Sequence, residues 1–146
     1  MQPQTLWIGC LPGGFRVAVD DVVVRSTAPV GQVYIACGDI FTLEPATGVR
    51  GFVVTGNNAT ISDVYMGGLL FDGDGGCVHV GGAARTFTIR DSVLALVNVT
   101  GSGGALYASS NVTGDVTVER VTFQYNLAGI VCSFPLFRNG LVVLSS

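Results

Sequence analysis

Short apolar words alternate with polar and glycine-rich turns along the whole chain. "LWIGC" (6–10), "VYIAC" (33–37), "FVVTG" (52–56), "CVHVG" (77–81), "ALYAS" (105–109) and "IVCSF" (130–134) begin 27, 19, 25, 28 and 25 residues apart. A second series, "TISDVYM" (60–66), "TFTIRDSVL" (86–94) and "VTVERVTF" (116–123), aligns on Thr60, Thr88 and Thr117, at spacings of 28 and 29. In each of these an aliphatic residue is followed five positions later by a large apolar one: Ile61 and Met66, Ile89 and Leu94, Val118 and Phe123. The words are too short for helices and rich in β-branched residues, so they predict strands.

Two strand series sharing a period in the twenties predict chain laid on chain, not hairpins. No Asn-Gly or Asp-Gly dipeptide stands symmetrically between the runs, as two-residue hairpin turns would require. The expected fold is all-β, a right-handed parallel β-helix (a solenoid) of about five irregular rungs. It forms a single domain over 1–146, with rungs starting near 6, 33, 52, 77, 105 and 130. No capping segment is visible at either end, so the expectation is either a piece of a longer chain or a module whose ends and flanks are covered by neighbours in an assembly. The second and fourth positions of the first series are expected to face inward: Trp7, Tyr34, Val53, Val78, Leu106 and Val131, then Gly9, Ala36, Thr55, Val80, Ala108 and Ser133. Glycine pairs at 67–68, 75–76, 81–82 and 103–104 are expected to form corners of positive φ.

"GGALYA" (103–108) and "FQYN" (123–126) resemble the paired Gly-Gly-Ala-Ile and Phe-x-x-Asn motifs of polymorphic outer membrane protein repeats. "GGCVHV" (75–80) is a partial second copy, with Cys77 in place of alanine and "LALVN" as a loose partner. The resemblance spans roughly 50–135 and implies a right-handed parallel β-helix with an adhesive or scaffolding role. It implies no catalytic site.

Composition narrows the function classes. Apolar residues make up 49% of the 146 and charged residues only 12%, a greasy balance that suits faces covered by neighbours in an assembly. A net charge of −3 offers no footprint for nucleic acid, and no apolar run is long enough for a membrane-spanning helix. All seven basic residues are arginine, which excludes chemistry that needs a lysine. No signal peptide opens the chain. The four cysteines permit disulfides, and Cys10 and Cys37 fall in one column when "LWIGC" is laid on "VYIAC", within the Cα range a disulfide allows. Asn58, Asn98 and Asn111 each head an N-glycosylation sequon. The expected setting is a cell surface or a viral particle.

Candidate chemistry is sparse. Asp72 and Asp74 in "FDGDGG" are a weak Ca²⁺ candidate against a plain reading as turn formers. Asp63, Asp91 and Arg120 share a column, with Ser62, Arg90 and Glu119 beside it. This is an exposed charge ladder in one reading; in the other it is the carboxylate pair of a polysaccharide lyase or hydrolase. His79, two residues from Cys77 on one strand, is poorly placed for a Cys–His pair. The resulting expectation is a non-enzymatic structural or adhesive module without cofactors. Its partners would be other protein subunits or the rest of a longer chain. The alternative is a carbohydrate-active or carbohydrate-binding protein.

Overall fold

A computed structural model describes residues 6–27, 33–37, 46–47, 49–81, 84–102, 104–109, 112, 114–130 and 142–145. The described residues contain no helix. They form a ten-stranded and a four-stranded sheet, each parallel throughout, and a two-residue antiparallel pair that joins Leu11–Pro12 to Val49–Arg50.

The second series pairs in the register its threonines set. Thr60 lies beside Thr88 and Thr88 beside Thr117, and the same rows carry Ile61, Ile89 and Val118. Further along, Met66 pairs with Leu94 and Leu94 with Phe123. Within Phe87–Ser102, Phe87 and Ile89 are buried while Arg90 is exposed, the period-two alternation of a strand with one face on a core. The alternation is then reset by a residue of positive φ. Asp63, Asp91 and Arg120 occupy that position in successive rows, at φ of 59°, 49° and 50°. Inward residues therefore run Ile89, Ser92, Leu94, three apart and then two. That sum explains the five-residue interval in the sequence. A second reset follows at Gly68, Leu96 and Tyr125, at φ of 77°, 56° and 52°.

The four-stranded sheet runs Leu106–Ala108, Val78–Val80, Phe52–Val54, Phe15–Val17. Val54, Val78 and Val80 from this sheet share one core with Ile61, Met66, Ile89, Leu94 and Val121, all fully buried. Each such side chain contributes roughly 1.5–3 kcal/mol through the water it excludes.

Three expectations about the first series are corrected. Leu6–Gly9 and Val33–Ala36 do pair residue for residue, Leu6 with Val33 through Gly9 with Ala36. They belong, however, to the ten-stranded sheet, where Tyr34, Ile35 and Ala36 neighbour Tyr65, Met66 and Gly67. Their inward residues are Ile35 and Cys37; Tyr34 and Ala36 are only half-buried. "FVVTG" sits one residue out of the expected register, because Phe52 pairs with Val78 and Val54 with Val80. This leaves Val53 and Thr55 half-buried and puts Phe52 and Val54 inside. Val78, Val80 and Leu106 are buried as expected, and Ala108 is half-buried. Ile130 ends the strand Leu127–Ile130 beside Ser102 in the ten-stranded sheet and does not extend the row of Leu106. Val131 and Ser133 lie outside the described residues, as does the side chain of Trp7.

Of the glycine pairs, Gly68, Gly75 and Gly104 hold positive φ. Gly67 is needed for another reason: a Cβ there would drive into the carbonyl of Ala95.

Candidate functional site

The column Asp63, Asp91, Arg120 stands on the first bend of the ten-stranded sheet. Backbone pairing of Ser62, Arg90 and Glu119 places the three side chains one row apart. Arg120 grips Asp91 as a fork, Nε on Oδ1 at 2.5 Å and Nη2 on Oδ2 at 2.9 Å. The fork holds the Asp91 carboxyl below its ordinary range and raises Arg120, with Glu119 3.9 Å from the guanidinium. Asp91 thus stays ionised, the state of a base or nucleophile and the wrong one for a general acid. Below the bend, Ser92 Oγ accepts the Val64 N–H and donates to the Arg90 carbonyl. Ser62 is buried, and its hydroxyl has no partner.

The second bend is built on the same plan. Asn126 Oδ1 accepts the Val97 N–H at 3.2 Å, and Nδ2 donates to the Leu94 carbonyl at 2.8 Å. Asn126 is the asparagine of "FQYN", so this motif acts structurally, bridging the positive-φ corner of the row before it.

Asp72 and Asp74 lie in the turn leading into Val78–Val80. Asp72 Oδ1 accepts from Thr100 Oγ1, and that hydroxyl accepts the Gly73 N–H. The Asp74 backbone carbonyl receives Arg50 Nη2 at 2.6 Å and lies 3.2 Å from His79 Nδ1. Arg50 also stacks on Phe71, 4.0 Å from the ring centre. Among the described residues no three His, Cys, Asp or Glu side chains converge as a metal would need. Burial lowers the His79 pKa, with Arg50 adding to the effect against the pull of Asp74. Burial also pushes the free Cys77 thiol far up, which makes it inert.

Cys10 and Cys37 form a disulfide with Cα atoms 4.7 Å apart. Asn58 is exposed at a positive-φ corner and donates its amide to Asp21, while Asn98 is exposed on its strand. Asn111 lies outside the described residues. Sequence reasoning missed Arg50, whose guanidinium reaches the Asp74 carbonyl and stacks on Phe71.

Among the described residues no helix is long and apolar enough to cross a membrane. A scan against protein-family models, a search of curated proteins and a search of solved structures each return no match.

Proposed function

We propose that the chain is a parallel β-helix that serves as a non-enzymatic structural or adhesive module, offering stiff lateral faces to other protein subunits at a cell surface or in a viral particle. The observation that supports this best is the row-on-row register, which repeats the same inward and outward positions at about 28-residue intervals. Such a stack gives a rigid body whose outward columns are fixed in spacing, suited to extended contacts. The repeat resemblance points the same way.

The carbohydrate-active alternative needs Asp63 and Asp91 as partners in acid–base work. The Arg120 fork on Asp91 works against it, because it occupies both carboxylate oxygens. The test is release of reducing ends from a set of polysaccharides incubated with the full chain. No release is expected. Release that disappears in Asp63→Ala/Asp91→Ala, with the circular dichroism spectrum unchanged, would overturn the non-enzymatic reading.

A further inference from the structure

The core is closed to different degrees toward the two ends of the stack. The row at one end holds Phe15–Val17 and Val23–Arg25, which among the described residues pair only with Phe52–Val54 and Ala59–Ser62. In that row Val17 is buried, but Phe15, Val22 and Val24 pack on the core and stay half-buried. One row further in, Phe52 beside Phe15 and Ile61 beside Val24 are buried, as are Val78 and Ile89 beyond them. Toward the other end Leu106, Val116 and Val118 are buried as well, so the core is closed there.

The outer side of the first row also differs from its successors. Val23 heads the column that continues as Thr60, Thr88 and Thr117, and it is 58% exposed. Val19, before the corner at Asp21, is 68% exposed. Aliphatic side chains thus stand in water where later rows carry hydroxyls. The Val22 carbonyl accepts the Thr60 N–H, so strand alternation turns the amide groups of Val23 and Arg25 toward the free edge. Such an edge is a template for another strand. Four exposed charges line the row, Arg16, Asp20, Asp21 and Arg25, and among the described residues none is in an ion pair. Two of each sign make the surface complementary to itself. With one end open and the other closed, a second copy meeting the open end gives a closed pair and not a filament.

We propose that this edge is a self-association surface, on which Val23–Arg25 of two copies pair antiparallel about a two-fold axis at Val23. Val23 then lies opposite Val23 of the second copy. Val24 faces Val22 of the second copy on the core side, and Arg25 comes opposite Asp21. Each copy covers the half-buried residues that the other leaves open. The surface is the end of the stack, apart from the lateral faces on which the structural role rests, so either reading can fail alone.

The test measures the mass of the full chain, disulfide intact, by light scattering during size exclusion over a range of concentrations. Wild-type chain should reach twice the chain mass and stop there. Val23→Lys sets two ammonium groups across the axis and should raise the dimer dissociation constant about tenfold or more. Arg25→Asp and Asp21→Arg should each weaken the dimer by setting like charges opposite, and the double exchange should restore it. Asp63→Ala, at the first bend, should dimerise as the wild type does. A chain that stays monomeric overturns the proposal. Growth beyond the dimer overturns it too, because it marks head-to-tail stacking. So does a dimer left intact by Val23→Lys with an unchanged circular dichroism spectrum, since that dimer uses another face.

Discussion

The two bends of the ten-stranded sheet solve one backbone problem with opposite surfaces. Each turns the chain through a residue of positive φ: Asp63, Asp91 and Arg120 at the first, Gly68, Leu96 and Tyr125 at the second. Such a conformation costs a non-glycine residue roughly 1–2 kcal/mol. At both bends the residue just after the corner in one row accepts the N–H of its counterpart in the row below, Ser92 from Val64 and Asn126 from Val97. Because the neighbouring row secures the corner, the corner side chain itself is free to vary. The first bend shows charge, with Arg120 paired to Asp91 in its own column and 3.9 Å from Glu119 in the next. The second shows exposed apolar groups, with Leu96 48% and Tyr125 65% accessible.

Four substitutions probe that difference, from the largest effect down. Gly67→Ala, next to the second corner, drives a methyl into the Ala95 carbonyl, and the backbone can yield only by giving up its register. A loss of about 3 kcal/mol or more is expected from urea unfolding. A loss below about 1 kcal/mol would mean the rows slide easily, contrary to the packing described. Asn126→Ala leaves the Val97 N–H and Leu94 carbonyl without their partner. About 2 kcal/mol should be lost, and hydrogen exchange at Val97 should accelerate; an unchanged Val97 amide would remove the bridge from the account.

The smallest effects come from the corner residues themselves, and here the bends should diverge. Leu96→Gly relieves a strained φ but gives up the half of the side chain that is buried, so stability should change by no more than about 1 kcal/mol in either direction. Arg120→Gly relieves the same strain but frees Asp91, whose carboxyl should move up toward its ordinary value of 3.8. The contribution of the fork is present above that value and is lost as pH falls through the depressed one. Arg120→Gly should therefore make the acid-side decline in stability shallower. An Asp91 titration that does not move on loss of Arg120 would show that the fork is not populated in solution.

The legible part of this design is the part written as periodicity. Thr60, Thr88 and Thr117 set the register of three rows, and "LWIG" on "VYIA" sets another. The five-residue interval from Ile89 to Leu94 already encodes a corner, since an odd interval cannot join two inward residues of an unbroken strand. What stays hidden has physical causes. An apolar word does not say which sheet it joins, so spacing alone assigns Val33–Ala36 to the wrong face. Phe15–Val17 and Val23–Arg25 make a row of their own, but Arg16 and the Asp20-Asp21 pair between them interrupt any apolar signal. Leu96, Arg120 and Tyr125 carry no local preference for positive φ; a hydrogen bond from 29 residues away secures the corner at Leu96. Spacing puts the candidate acids in their true column, yet only coordinates show Arg120 closing on Asp91.

The bond between Cys10 and Cys37 changes how the molecule bears load. It closes 27 positions of chain into a loop whose ends already touch. Under tension from the two termini, force passes through the sulfurs and bypasses the backbone between them, so that roughly 90 Å of contour never pays out. The row of Leu6–Gly9, which precedes Cys10, can peel from Val33–Ala36 only as far as the bond. Unravelling from that end then halts at Cys10, and a reducing environment lets it run on through the segment up to Cys37.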